Sequence, residues 1–575
     1  MKRTGGSIVV QALEDEHIPF AFGIPGTHNI ELYDVLATSD SVRPVLVTDE
    51  QSASFMADAV WRASGKMACV NVVPGAGLTH AMSGIAEAFM DHIPMLVLGC
   101  GIRRDTGAAF QLHDVDQESM VAPVVKATFR PMTGAELYPT IREACRMARA
   151  GAPGPVFVEV PANLYTFTHD VGELAWAPEH QKAAPLSEGL MARAVELLSN
   201  ARRPLLYVGA GAAGATGQVL ALAERLEAPV ATTFQGKGVF PELHPLFVWP
   251  GFGSGTPSFA QEVAESCDVT LAIGCRFGEV ATASYGMTPP GALIHVDIDP
   301  DALGRNHPAD VALAMDAGDF LRAVLERLGA DFRSEDAELR ATIRRGHASV
   351  WETWLGDVGG DLVTPAHLLR TAQRIFGPDT IYTTDSGNGT FLAMECLRLE
   401  STGKYLAPVD YSCMGYSIPA ALGAKLAQPD VPVLALAGDG AFMMTGLEMA
   451  TAAAEGIAVI GLVLRDRELA QISQFQSTAM NRKVASGVRD YELKHLAAGM
   501  GVEFLEMPSD ESVEDVLVEA QRLADEGRPV LVDVAIDYSR RTFFTKGVVK
   551  ANLGRLPFKD QVRFVGRAVM RKITG

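Results

Sequence analysis

"VLALAGDGAFMMTGLEMATAAAEGIAVIGLVLRD", residues 433–466, decides how this chain folds. An apolar run ends in Gly438-Asp439-Gly440, a helix-forming stretch opens at Ala441, and a second apolar run ends in Asp466. This alternation is that of a parallel sheet covered by helices. In such open sheets, ligands collect beyond the carboxyl ends of the strands. Asp439 and Asp466 stand at two such ends, on strands expected to be neighbours. Two hard carboxylate ligands there suit Mg²⁺, which binds few protein oxygens and shares its shell with phosphate. Gly438 and Gly440 let the backbone approach a phosphate, and the helix start offers N–H groups. A second glycine-rich strand end, Asp385-Ser386-Gly387-Asn388-Gly389, supplies further phosphate donors.

The same rhythm recurs in three units. Residues 1–165 contain PVLVTDE, MACVNVV, PMLVLG and PVFVEVP, and a polar connection over 165–185 follows. Residues 188–335 contain PLLYVGAG, APVATTF, VTLAIGC and ALIHVDID. A charged, helix-prone segment (331–362) leads to residues 363–540, with TIYTTDSGNG, PVLALAGDG, AVIGLVLRD and PVLVDVAID. The expected fold class is α/β, with three doubly wound parallel-sheet domains and a basic tail over 541–575. Gly209-Ala-Gly211-Ala-Ala-Gly214 spells the dinucleotide fingerprint, but the following strand ends in Thr and Phe rather than in a ribose-binding acid. A turn that packs helix on strand is the preferred reading, and a nicotinamide cofactor is disfavoured.

Composition bounds the rest. No run of eighteen apolar residues exists, so a spanning helix is not expected. The start, MKRTGGSIVVQALEDEH, lacks a sustained apolar core, which points to a cytoplasmic protein. Seven scattered cysteines form no C-x-x-C pair, so neither a disulfide framework nor a zinc site is indicated. A net charge of −20 disfavours nucleic acid as a partner.

GDG followed some twenty-five residues later by Asp466 is similar to the diphosphate–metal motif of thiamin-diphosphate enzymes. "MGYSIPAALGAKL", "QGKGVFPELHP", "HVDIDP", "GPVFVEVP", "DEQSASFMADA" and "AFMDHIP" extend the likeness. Together they resemble the acetohydroxyacid synthase and pyruvate oxidase family over roughly residues 5–540. The resemblance implies pyrimidine-binding, central and diphosphate-binding domains, thiamin diphosphate and Mg²⁺ as cofactors, and a homodimer or homotetramer. It also implies that the pyrimidine domain of one chain faces the diphosphate domain of another. Arg465-Asp466 replaces the family's Asn-Asn, so the metal set becomes Asp439, Asp466 and the carbonyl of Glu468.

Glu50 resembles the glutamate that bonds the aminopyrimidine ring and promotes loss of the thiazolium proton. Read alone, it is also an acid in a first helical turn, favoured by the helix dipole. Ser412 and Met414 match the segment that holds the pyrimidine edge and bends the cofactor. Thr27, His28 and Asn29 match the family's first glycine-rich loop. His28 falls where benzaldehyde lyase has a histidine, and it either acts as acid or base or caps the next helix. Gln111 matches a glutamine at the reaction centre, with His113 nearby. Gln471 and Phe475 fall where the synthases shape the acceptor pocket. Arg276 matches an arginine tied to acceptor or flavin contacts, with a fold-supporting ion pair as the alternative. "WPGFGSGTPSFA" replaces the synthases' His-Gly-Thr turn, which counts against FAD.

The implied reaction is decarboxylation of a 2-oxo acid and ligation of its acyl unit to a carbonyl acceptor. The alternatives are simple decarboxylation, acyloin cleavage, or a cofactor-binding homologue without turnover. The tail carries ten Lys/Arg against one Asp from Arg540 onward, a local +9. Phe558, Val562, Val565, Val569 and Ile573 share one helical face, and Lys559, Arg563, Arg567 and Arg571 another. Docking over the active-site mouth or on another subunit is preferred to peripheral contact with an anionic membrane.

Overall fold

The computed structural model describes residues 1–178, 187–356 and 358–574; the end of the polar connection at 179–186 lies outside the described residues. Three sheets of six parallel strands form the molecule. Long runs of Val, Leu and Ala are buried on both faces, as in Met95–Gly101 and Val433–Gly438. Such strands are stable only between two helical layers.

The first sheet uses Phe20–Gly23, Arg43–Leu46, Cys69–Val72, Met95–Gly101, Thr128–Phe129 and Pro155–Pro161. The third uses Ile381–Thr384, Tyr405–Leu406, Val433–Gly438, Ile460–Arg465, Glu503–Met507 and Val530–Ala535. Both stand in the order second, first, third, fourth, sixth, fifth. Each therefore reverses direction between its first and third strands, where a crevice opens at the carboxyl ends. The middle sheet uses Pro204–Val208, Val230–Thr232, Phe247–Pro250, Val269–Ile273, Ala292–Asp297 and Val311–Ala314. Its order is third, second, first, fourth, fifth, sixth, with the switch between first and fourth.

That middle switch point is filled by backbone. A Cβ on Gly209 would stand 2.0 Å from the carbonyl oxygen of Gly274, and one on Gly211 2.7 Å from its Cα. The glycines of the GAGAAG turn thus let two strand ends touch. The neighbouring strand ends in Thr232, not in an acid.

The first and third domains meet through helices Glu50–Ser64 and Ser417–Ala427. The helices pass so closely that a Cβ on Gly423 would lie 2.3 Å from the Met56 carbonyl. A buried polar cluster surrounds the crossing. Arg62 bonds Asp58 (2.6 Å) and Asp91 (2.8 Å), the Tyr416 hydroxyl donates to Asp58 (2.5 Å), and Gln235 of the middle domain donates to Asp91 (2.5 Å). Arg276 ties all three domains: it pairs with Asp410 (2.7 Å), donates to the Met90 carbonyl (2.5 Å) and meets His92 (2.9 Å).

The termini are also anchored. Lys2–Thr4 pairs antiparallel with Thr168–Asp170, so the polar connection begins as a clasp on the N-terminus. The basic tail is two helices. In the first, Phe543–Arg555, the Phe544 ring stacks on Phe391 (4.3 Å) and meets Phe234 (4.9 Å). Burying such a ring stabilises by about 1.5–3 kcal/mol. In the second, Phe558–Thr574, Arg571 donates to the Met480 carbonyl (3.1 Å) and Asn481 donates to that of Arg571 (2.7 Å). Phe558, Val562 and Val569 of the expected apolar face stand in solvent; the side chains of Val565 and Ile573 lie outside the described residues.

Candidate active site

The switch points of the first and third sheets each collect half of the expected residues. In the third domain, the strand Ile381–Thr384 runs into Asp385, whose buried carboxylate accepts from the Ser417 hydroxyl (2.5 Å) and N–H (3.0 Å). Burial raises this carboxyl to about 6, against the pull of the Ser417 bonds. Gly387 follows at φ +137°, a conformation that favours glycine, and precedes the helix Asn388–Cys396. A Cβ on Gly387 or on Gly438 would meet nothing within 4 Å, so the crevice floor is open there. Ser412, at φ +67°, crosses this strand end with its hydroxyl 2.7 Å from that of Ser386. A Cβ on Gly440 would lie 3.8 Å from Met414 Cε, which puts the end of the Met414 side chain beside the GDG turn.

Asp439 and Asp466 follow strands that pair directly, Gly438 beside Leu464. Asp439 is buried and accepts from the Gly440 (2.7 Å) and Arg467 (2.8 Å) amides. Asp466 accepts from the Glu468 amide (3.3 Å). Burial raises both carboxyls, and the charge of Asp439 helps lift Asp466 to about 7. Arg465, whose charge acts on Asp439, is turned to Asp533 and Asp490, and Arg467 also pairs with Asp490. Two desolvated acids without a side-chain cation between them form a donor set that fits a divalent ion. The Glu468 carboxylate is taken by Lys483 (2.6 Å). Its flanking residues pair with 486–488 (Leu469 N–H to Ser486 O, 2.7 Å; Val488 N–H to Arg467 O, 2.8 Å), which leaves the Glu468 carbonyl out of that ladder. Gln471 and Phe475 lie one turn apart on the helix Ala470–Met480, both half-buried; the second tail helix meets the far end of that helix, at Met480 and Asn481.

In the first domain, the strand before Glu50 stops at Leu46. Glu448 draws the chain out of the sheet by accepting the Thr48 amide (3.1 Å) and hydroxyl (2.6 Å), and Asp49 caps the Gln51 amide (2.7 Å). Glu50 is therefore the first residue of a helix rather than the last of a strand, and it is 7% exposed. Asn29 is buried and its Oδ1 accepts the Gly26 amide (2.7 Å). Thr27 Oγ1 lies 3.2 Å from His28 Nδ1. The His28 and His113 rings meet edge to face at 5.4 Å. Burial, and then His113, hold His28 below the ordinary imidazole value. Gln111 bonds back to the Ala108 carbonyl (3.3 Å) in an exposed loop.

Two residues here escaped the sequence reading. Gln117 joins the loop to the crevice by accepting the Gly75 amide (3.1 Å) and donating to the Cys100 carbonyl (3.0 Å). His80 places Nδ1 3.4 Å from a Glu50 oxygen. A histidine one turn after Gly77, in the helix after the third strand, was the available signal. Among the described residues, Glu50, Thr27, His28, Asn29, Gln111 and His113 make no hydrogen bond or ion pair with residues 385–389, Asp439 or Asp466 of the same chain; the two domains bond beside the sites instead, Thr48 to Glu448 (3.1 Å) and the Cys413 amide to Glu87 (3.1 Å). Arg276 belongs to the domain junction through Asp410.

One crevice holds a buried glutamate and the other a pair of raised acids, and comparison places this three-domain α/β architecture in a known family. Family profiles for the thiamine pyrophosphate enzyme N-terminal TPP binding domain, central domain and C-terminal TPP binding domain match residues 3–120, 191–324 and 385–534. The chain belongs to the thiamine pyrophosphate enzyme family. It is 30% identical to the acetolactate synthase large subunit of Corynebacterium glutamicum, over 97% of this chain and 92% of that protein. A probable acetolactate synthase large subunit of Methanocaldococcus jannaschii is 30% identical over 93% of this chain and 92% of its own length. Acetolactate synthase isozyme 1 of Escherichia coli is 28% identical over 94% and 95%.

Proposed function

We propose that this enzyme uses thiamin diphosphate and Mg²⁺ to decarboxylate a 2-oxo acid and ligate the acyl unit to a carbonyl acceptor, as an acetolactate-synthase-like carboligase. The observation that carries the reading is the desolvated pair Asp439 and Asp466 beside the open floor at Gly387 and Gly438. When bound, the cofactor supplies the electron sink for carbon dioxide loss.

The chain's own residues do the rest. Asp439, Asp466 and the Glu468 carbonyl would hold the metal. The amides of Gly387, Asn388, Gly389, Gly438 and Ala441 would take the diphosphate, and Gly440, whose amide is held by Asp439, would brace the turn beneath it. Ser412 and Met414 would grip the pyrimidine edge, and Glu50 would hold a proton at its ring nitrogen. His28, held below its ordinary value by burial and by His113, would stand as acid or base toward the substrate's carbonyl oxygen. Gln111 would bond the substrate oxygen. Thr27, His113, Gln471 and Phe475 would bound the acceptor, which excludes water and stray protons, while Asn29, expected in the pocket, is buried and braces the loop through the Gly26 amide.

Because the half-sites do not meet within a chain, we read the enzyme as a homodimer or dimer of dimers whose facing domains come from different copies. The Asp410 pair supports a structural role for Arg276. The turn "WPGFGSGTPSFA" and the closure of Gly209 and Gly211 on Gly274 speak against FAD. We read the protein as cytoplasmic, with the second tail helix docked on Ala470–Met480.

The test is a screen of 2-oxo acids for carbon dioxide release, with and without carbonyl acceptors and with products identified by mass spectrometry. Ligated hydroxy-oxo products are expected. Release of aldehyde alone would overturn ligation, and undiminished turnover by Glu50→Gln would overturn the assignment of Glu50.

A further inference from the structure

Glu50 is nearly enclosed, yet its carboxylate accepts no hydrogen bond from another side chain or amide among the described residues. One oxygen, Oε1, faces the start of the helix Ala76–Met90, where a Cβ on Gly77 would stand 3.1 Å from it. The other, Oε2, faces His80 Nδ1 at 3.4 Å. His80 sits three residues beyond Gly77, so its ring returns over the same helix start. The His80 side chain is 59% exposed against 9% for that of Glu50. A buried carboxyl is thus in contact with one imidazole that is open to water. The other acid near the ring is Asp49, 3.7 Å from Nδ1, at the cap of the helix that Glu50 opens. Among the described residues, His80 is the one side chain of basic type within 4 Å of Glu50.

We propose that His80 is a positioning residue for Glu50. Its Nδ1–H holds Oε2 and fixes the carboxyl plane, so that Oε1 is left at one defined place for the cofactor's ring nitrogen. A carboxyl at a helix start with free rotation about its last bond would offer either oxygen over a wide arc. Near-attack geometry does not tolerate that spread. Gly77 contributes by leaving room for Oε1, which any side chain there would displace. The inference rests on the reading of Glu50 as the activating acid.

The test follows deuterium exchange at the reactive carbon of the bound cofactor, together with cofactor affinity and thermal midpoint. His80→Ala is expected to exchange about tenfold more slowly, the worth of one hydrogen bond to a charged group. Affinity and midpoint should stay near wild type. His80→Asn, whose amide nitrogen reaches the place of Nδ1, should recover most of the rate. In cofactor-free protein, carbethoxylation of His80, read by peptide mass spectrometry, should be faster in Glu50→Gln than in wild type. Wild-type exchange by His80→Ala, or equal loss in His80→Ala and His80→Asn, would overturn the proposal. Normal exchange by Glu50→Gln would instead overturn the prior reading of Glu50.

Discussion

Asp466→Asn is expected to stabilise the metal-free protein and to weaken its hold on Mg²⁺. In the folded chain the Asp466 carboxyl is raised to about 7, by burial first and then by the Asp439 charge. Its ordinary value is 3.8. A folded value above the unfolded one means that ionisation opposes folding. The penalty is absent below about pH 4, grows as pH rises, and is complete above about pH 7. Three pH units correspond to about 4 kcal/mol at most. Asp466 is only half-buried, so solvent screening reduces this to about 1–2 kcal/mol. The assay is urea unfolding in EDTA at pH 5 and pH 8. Wild type should lose about 1 kcal/mol relative to Asp466→Asn between those two conditions, since roughly a third of the penalty is already present at pH 5. Added Mg²⁺ should reverse the order, because stability then grows with the logarithm of metal concentration over the dissociation constant. Two carboxylates bind the ion more tightly than one carboxylate and an amide. Identical pH dependence of the two proteins in EDTA would show that the acids do not share a desolvated site, and the cation reading would lose its footing.

Gly423→Ala should destabilise by about 1–3 kcal/mol or more, since the new methyl meets Met56 backbone that cannot yield; calorimetry would show it as loss of cooperativity between the first and third domains. Arg62→Ala should cost about 3–5 kcal/mol by stranding Asp58 and Asp91, whose side chains are fully buried; a denaturation midpoint near wild type would contradict this. Removal of residues 557–575 should leave the fold intact, because Phe544 stays seated, whereas a cut at 539 would uncover Phe234 and Phe391. Co-sedimentation with anionic vesicles should be the same with and without 557–575; binding by the full chain alone would refute docking in favour of the membrane.

The repeated α/β plan is legible in the residues, because buried parallel strands must be continuous apolar runs. All twelve runs quoted above are strands. The strands it did not reveal include the edges Thr128–Phe129, Phe247–Pro250, Val311–Ala314, Tyr405–Leu406 and Glu503–Met507. An edge pairs on one side, so a short or half-polar stretch suffices. Phe20–Gly23 is interior but only four residues long. The acids at the ends of Val433–Gly438 and Ile460–Arg465 were legible for the same reason as the plan. Strand ends are set by where apolar residues stop.

Which side chains share a crevice emerges from the packing of the folded chain. The meeting of His28 with His113, and of Glu50 with His80, joins segments that are local in neither sequence nor hydropathy. It likewise gave Arg276 to a three-domain junction, and packed the first tail helix while leaving part of the second in solvent. Such contacts depend on strand order and helix crossing, which are fixed by long-range packing rather than by any local pattern of residues.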